Sequence, residues 1–382
     1  MVEMEEPSFN DCLKRWRLAD NPFDESYPIR HRLYARPPEE LKELKYLISS
    51  TAERSSVLNL VVLGDIGSGK TYLMKSILEW LNETNKGIGL YVVIPKRGSS
   101  KGFRDLYEDI IRRIGIKRLS SIGRSLAAEY GASSLEEMLL KIDDFLRNQD
   151  FARALANITF ENEMMLSWTW LTGNATIHQD RALGMTSTPK NETNALDILL
   201  SAFRLIATEN HMVVLLLDEL ENLVGRGQAV ESIRDGIRNL HDRLIYEERD
   251  FGVAVVSSVT AGFLEEVRMS LGGAVFDRAR RLQLDFLNPN QGKEFVECLL
   301  NSARISQAKS DRLPLFSSEQ ALARFIESSF KMTRLLDYEK VGEARTPRGV
   351  CKAGQSLLDY CCQRDIVQVT DSVIDTWAKE AK

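Results

Sequence analysis

The octad Gly64-Asp65-Ile66-Gly67-Ser68-Gly69-Lys70-Thr71 has the residue types and spacing to hold phosphate, because it fits G-x-x-x-x-G-K-[ST]. An apolar run at residues 57–63 precedes it, and a helix-like stretch over residues 72–81 begins at Tyr72. Strand, glycine turn and helix let successive backbone N–H groups point at phosphate oxygens, with the helix N-terminus adding positive potential. Lys70 is then expected at the β- and γ-phosphates and Thr71 on Mg²⁺, with Tyr72 opening the helix beside them. The pattern predicts a bound nucleoside triphosphate. The alternative is a glycine turn with no ligand.

A second constellation lies far downstream. In His211-Met212-Val213-Val214-Leu215-Leu216-Leu217-Asp218-Glu219-Leu220, an apolar run ends in two carboxylates. Such a run predicts a buried parallel strand whose C-terminal end carries acid, which is where open α/β sheets bind ligands. Asp218 is assigned to Mg²⁺ through its water shell, and Glu219 to orienting and deprotonating an attacking water. A strand that merely ends in solvated acids is the competing explanation.

Three further segments could complete such a site. Residues 251–256 form another apolar run, ending at Ser257, Ser258 and Thr260. Ser257 or Ser258 could sense a γ-phosphate, though hydroxyls at strand ends are commonplace. Arg278, Arg280 and Arg281 precede an alternating strand pattern over residues 282–286, and Arg278 and Arg281 are the preferred candidates to reach a neighbouring subunit's γ-phosphate. An ordinary surface basic cluster explains them as well. In Thr346-Pro347-Arg348, threonine and proline suit N-cap and N1 positions, which puts Arg348 in a first helical turn. The helix dipole disfavours a cation there, so an anion is expected nearby.

With these elements in this order, the chain resembles an AAA+ ATPase. The segment Trp16-Arg17-Leu18-Ala19-Asp20-Asn21-Pro22-Phe23, followed by Tyr34-Ala35-Arg36-Pro37-Pro38-Glu39-Glu40-Leu41, is similar to the start of the group that includes transposition regulators, ExeA-type secretion ATPases and origin-recognition initiators. That resemblance implies a P-loop αβα parallel sheet with a C-terminal helical lid, a ring or spiral homo-oligomer, and an adenine-side segment at Asn21, Pro22 and Phe23. Between residues 95 and 210 the chain is much longer than one crossover requires. Phe151-Ala152-Arg153-Ala154-Leu155 and Ser167-Trp168-Thr169-Trp170-Leu171-Thr172-Gly173 look like the middle of BREX-type phage-defence ATPases. Residues 133–148 carry a capping box, Ser133 with Glu136 or Ser134 with Glu137, and predict a helix. The expected organisation is an arm at 1–56, a core at 57–290 with a helical insertion at 96–210, and a lid at 291–382. No winged-helix pattern follows the lid, so sequence-specific origin binding is not expected.

Bulk properties narrow the partners. The 382 residues suit two or three domains, and a net charge of −5 excludes a polycation. Any DNA contact must therefore be local. Residues 96–124 hold nine Lys/Arg against three acids, a candidate phosphate-tracking patch or else a solvated helical face. The five cysteines show no metal or disulfide spacing, no apolar run could cross a membrane, and the acidic N-terminus is no signal peptide. A cytoplasmic location is expected. The leading function is ATP hydrolysis coupled to assembly on DNA, in genome defence, mobile-element control or replication. Two alternatives are an ATP-gated scaffold that recruits an effector protein with little turnover, and a remodeller of polypeptides.

Overall fold

The structure is a computed structural model that describes residues 9–30, 39–96, 102–210, 212–246, 251–305, 314–332 and 344–381. Tyr34 to Pro38 of the N-terminal resemblance, Arg97 and Lys101 of the basic segment, and His211 lie outside the described residues. In chain order the elements are α1 (Phe9–Arg15), α2 (Tyr27–Arg30), α3 (Glu39–Glu53), β1 (Val57–Gly64), α4 (Lys70–Thr84), β2 (Ile88–Val93), α5 (Phe103–Ile114) and α6 (Ile116–Glu129). Next come α7 (Leu135–Leu146), α8 (Gln149–Thr159), α9 (Met164–Leu171), α10 (Ile177–Ala182), α11 (Glu192–Asn210), β3 (Met212–Asp218), α12 (Gln228–Tyr246) and β4 (Gly252–Thr260). The last are α13 (Leu264–Leu271), α14 (Gly273–Asp277), β5 (Arg280–Leu284), α15 (Pro289–Ser302), α16 (Glu319–Ser329), α17 (Pro347–Gln363) and α18 (Asp371–Glu380).

The chain divides into two compact units: Met1–Glu40 with Gly64–Tyr72 and Gln283–Lys382, and Leu41–Leu63 with Leu73–Leu282. The second unit contains the αβα core. Its sheet has the order β2-β3-β4-β1-β5, with β2 parallel to β3 and β3 parallel to β4. All seven residues of β3 and all nine of β4 are buried, which is why their sequences are apolar runs without alternation. On one face, a Cβ added to Gly89 of β2 would press into Leu78 and Leu81, so α4 lies close there. On the other, α5 packs on β2, α11 and α12, and α11 packs on β3. Ile233, Ile237, Leu240 and Leu244 supply the buried stripe of α12, at the helical spacing the sequence shows.

Within residues 96–210 the segment between α5 and α11 folds as helices α6 to α10. Ser134 caps α7 by accepting the Glu137 N–H, but the Glu137 carboxylate accepts the Ser133 N–H at 2.7 Å rather than that of Ser134, so the N-cap is the second serine and the expected reciprocal box is displaced by one residue. Asp150, 5% exposed, anchors the return to α11. It accepts the N–H groups of Thr186 (2.9 Å) and Ser187 (2.7 Å) and both of their hydroxyls. Trp170 is fully buried and donates to the Ser187 carbonyl at 3.2 Å, the role of a packing anchor.

The first unit is largely helical and takes in the start of the expected arm, Met1–Glu40, whereas the rest of that arm, from Leu41, belongs to the second unit. Cys12, Leu13, Trp16, Leu18, Phe23 and Tyr27 share one core with α15 to α18. Trp16 donates its indole N–H to Val367 O at 2.8 Å, and Leu18 bridges to Arg304. A disulfide joins Cys12 to Cys362, a pairing across 350 residues that no cysteine spacing signals. Among the described residues no helix is long and apolar enough to cross a membrane.

Two consequences can be measured. A Cβ on Gly354 would run into the Phe23 ring, so Gly354→Ala should lower unfolding stability by about 1–3 kcal/mol in a denaturant titration. In the core, the buried His241 ring accepts a hydrogen bond from Asn59 Nδ2 (2.7 Å to Nε2), and burial holds its pKa below the ordinary 6.5. The unfolded chain therefore takes up that proton first, so this stability is complete above about pH 6.5 and is lost as pH falls toward the folded-state value. Urea unfolding at pH 7.5 and 5.5 should show a smaller acid loss for His241→Gln than for wild type.

Candidate functional site

The glycine loop belongs to the first unit. It begins where β1 ends at Gly64 and closes where α4 begins at Lys70, with the Ser68 N–H donating to Asp65 O at 3.0 Å. Gly67 (φ 78°) and Gly69 (φ 99°) adopt left-handed conformations that side chains rarely tolerate. Gly67 is also confined, since a Cβ there would lie 2.7 Å from Arg348 Cβ and 3.1 Å from Thr346 Oγ1. The Lys70 ammonium turns back over the loop and donates to Gly64 O (2.8 Å) and Asp65 O (3.1 Å). Cation, glycine backbone and helix N-terminus are thereby gathered in one turn, the donor set a polyphosphate needs.

Arg348 stands beside this loop in the first turn of α17, which Thr346 caps through the Gly349 N–H at 3.1 Å. The anion next to its guanidinium is the Glu25 carboxylate, 3.1 Å from Nε, with Lys352 Nζ 3.9 Å from the other oxygen. The adenine-side candidates lie in the same unit. Asn21 accepts the Phe23 N–H at 3.0 Å and pairs with Gln355, pinning the Asn21-Pro22-Phe23 turn to α17. Phe23 is 1% exposed and packs on Gly354 and Phe325, so its ring serves the helical core.

The acid tip of β3 belongs to the second unit. Asp218 is 2% exposed, and its carboxylate accepts from three donors: the Tyr91 hydroxyl on Oδ2 at 2.7 Å, and the Glu219 N–H (3.1 Å) and Ser258 hydroxyl on Oδ1. Hydrogen bonds to a charged group are each worth about 1.5–3 kcal/mol, which offsets the cost of desolvating the carboxylate. Burial, and then Asp218, push the Tyr91 phenol well above its usual value, so it remains an O–H donor. Ser258 also accepts the Glu219 N–H at 3.0 Å, joining the two acids. Glu219 takes up φ 62°, ψ 46°, a left-handed conformation costing a non-glycine residue roughly 1–3 kcal/mol. That turn carries its side chain off the strand, where Oε2 accepts from Asn222 Nδ2 at 3.0 Å. The same amide nitrogen donates to Ile94 O, just past β2, at 2.8 Å.

Neighbouring candidates separate by face. Ser257 lines a small cavity with Ile237, Leu240 and His241 of α12, while Ser258, one pleat on, reaches Asp218. Arg278 lies 5.2 Å over the Tyr246 ring and bonds its hydroxyl. Arg281 is exposed on β5, an edge strand. In the basic segment Arg104 donates to Gly173 O (2.6 Å), Arg112 pairs with Glu108 (2.6 Å), Arg113 with Asp109 (3.0 Å) and Arg124 with Glu161 (2.7 Å). Tyr91 and Asn222 were not legible as site residues. One is mid-strand and the other follows the motif in a single 3-10 turn, Leu220–Leu223.

No group of three or more His, Cys, Asp or Glu among the described residues could cage a metal. Mg²⁺ usually takes one or two protein oxygens and completes its shell with phosphate and water. The Thr71 hydroxyl is an oxygen of the kind Mg²⁺ takes directly, and the Asp218 carboxylate one of the kind that contacts its water shell.

Residues 53–159 match a family model described as an AAA domain. Among solved structures, the Aeropyrum pernix ORC2 protein in its ADPNP–ADP complexes is similar, with 12% identity and a TM-score of 0.52 over 95% of this chain and 71% of that chain. The fold is that of AAA+ proteins. The same protein in its ADP form gives 12% identity and 0.48 over 95% and 73%, and the Aeropyrum pernix ORC1 protein in complex with DNA gives 12% and 0.42 over 96% and 69%. No curated protein matches the chain.

Gly67→Ala should lower affinity for a fluorescent ATP analogue at least roughly tenfold, since the side chain meets both strain and the wall formed by Arg348. Gly131→Ala has a similar positive φ in open space and should leave affinity unchanged.

Proposed function

We propose that this protein is a Mg²⁺-dependent ATPase that works as a homo-oligomer. The observation that carries the reading is the tip of β3, where a buried Asp218 held by three donors adjoins a Glu219 turned off the strand by a left-handed backbone. Strands β1 and β3 belong to one sheet, and one leads into the glycine loop while the other ends in these acids. In the reaction Lys70 and the backbone of residues 64–71 bind the phosphates, and Thr71, with Asp218 through the metal's water shell, would hold Mg²⁺. When bound, Mg²⁺ neutralises charge on the β- and γ-phosphate oxygens. Glu219 orients the attacking water and takes its proton. Ser258, with its hydroxyl between the two acids, is the better placed of the two serines to sense the γ-phosphate. Arg348 trades Glu25 for phosphate.

Arg281 is the preferred finger for a neighbouring subunit, because exposure on an edge strand leaves it able to reach outward while Arg278 is engaged by Tyr246. Assembly on DNA through residues 96–124 is part of the proposal. The ion pairs there are largely exposed, so each is worth only about 0.2–1 kcal/mol and can yield to a phosphate backbone. A setting in phage defence rests on the sequence resemblance of the insertion. The second reading, an ATP-gated scaffold with little turnover, is favoured by the Asn222 amide engaging the Glu219 carboxylate.

Glu219→Gln distinguishes them. For the ATPase, steady-state phosphate release should fall at least roughly 100-fold while ATP binding and assembly persist. For the scaffold, biological output survives the substitution. For the trans arginine, Arg281→Ala should abolish the rise of per-subunit rate with protein concentration, and Arg278→Ala should not. DNA affinity should fall steeply between 50 and 200 mM salt if residues 96–124 track phosphates.

A further inference from the structure

Tyr91 has no part in the proposed reaction, yet its hydroxyl donates to Asp218 Oδ2. It lies on β2, where Val93 is the register partner of Asp218, and one pleat back on the same strand face. From there the phenolic hydroxyl reaches the carboxylate at 2.7 Å. Its ring is fixed on the side of α4: Lys75 stands 5.9 Å from its centroid, and neighbouring Gly89, on the same face, admits Leu78 of α4 at a distance a side chain would forbid. The opposite oxygen, Oδ1, is held by Ser258 and the Glu219 N–H. The carboxylate is thus gripped at both oxygens from the two strands flanking β3, and its plane cannot rotate without breaking one grip.

We propose that Tyr91 is a metal-positioning residue, whose hydroxyl holds the Asp218 carboxylate in the orientation that accepts the water shell of a nucleotide-bound divalent cation. The inference rests on the Mg²⁺–nucleotide reading of the site. Ligand-orienting partners of this kind commonly affect metal affinity by roughly 10–100-fold. Because the phenol touches Asp218 and no part of the phosphate loop is needed for the contact, its effect falls on the metal-dependent part of nucleotide binding. A phenol that merely satisfied a buried acid would change stability and leave metal affinity alone.

The test is a Mn²⁺ titration of the full chain with excess ADP, followed by the EPR signal of the free ion, beside ADP affinity measured in EDTA. Tyr91→Phe keeps the ring and removes the hydroxyl. Tyr107→Phe removes another buried hydroxyl, the one donating to Leu171 O at 2.6 Å, and controls for general loosening. The expected result is a Mn²⁺ half-saturation shifted upward roughly tenfold or more in Tyr91→Phe, with metal-free ADP affinity unchanged and Tyr107→Phe like wild type. Ser258→Ala, which releases the other oxygen, should shift in the same direction and supplies a second variant if Tyr91→Phe fails to fold. Unchanged half-saturation in Tyr91→Phe, or an equal shift in Tyr107→Phe, overturns the proposal while a metal-responsive wild type keeps the nucleotide reading intact. A wild type in which ADP recruits no Mn²⁺ overturns that reading, and this proposal with it.

Discussion

A carboxylate buried at the end of a wholly buried strand is the constraint around which the second unit is organised. Asp218 can stay there only if donors replace the water it has lost. Those donors come from both flanking strands, Tyr91 of β2 and Ser258 of β4, and from the backbone of Glu219. Strand order therefore matters chemically: only a sheet in which β3 lies between β2 and β4 brings a phenol and a hydroxyl to opposite oxygens of one acid. The left-handed Glu219 follows from the same arrangement, since its N–H is shared between Asp218 and Ser258 while its side chain turns away to Asn222.

The glycine loop solves a complementary problem in the first unit. There the chain must expose backbone N–H groups and keep a lysine close, and two glycines with positive φ permit the turn. The pressure of Arg348 and Thr346 against Gly67 shows that the helix bearing the candidate lid arginine is packed onto the loop itself. Glu25 occupies that arginine meanwhile, so the arm's acid competes for the cation with any anion entering the loop.

Much of this was legible in the sequence because the signals are local. Apolar runs at residues 57–63 and 212–217 can only be buried strands when bounded by turn and acid, and the α12 stripe follows from helical spacing. What escaped needed register or long-range closure. That Ser258 and not Ser257 reaches Asp218 depends on pleat parity against β3, which a hydroxyl pair in sequence does not encode. Tyr91 looks like any half-buried strand aromatic until β2 is aligned with β3. Arg278 caps the end of α14 and is engaged by Tyr246, while Arg281 is exposed on β5, a difference that their shared run of basic residues does not encode. The Cys12–Cys362 disulfide joins chain ends 350 residues apart, and the neighbouring Cys361 thiol is pushed up to about 12 by burial, which keeps it protonated.

The central claim is that Thr71 and Asp218 serve one metal on one triphosphate. A crystal structure of the protein with Mg²⁺ and a non-hydrolysable ATP analogue tests it directly. The account predicts the metal about 2.0–2.1 Å from Thr71 Oγ1, with Asp218 contacting a water of the same coordination shell. A nucleotide bound elsewhere, or a metal in contact with neither residue nor its waters, would contradict it.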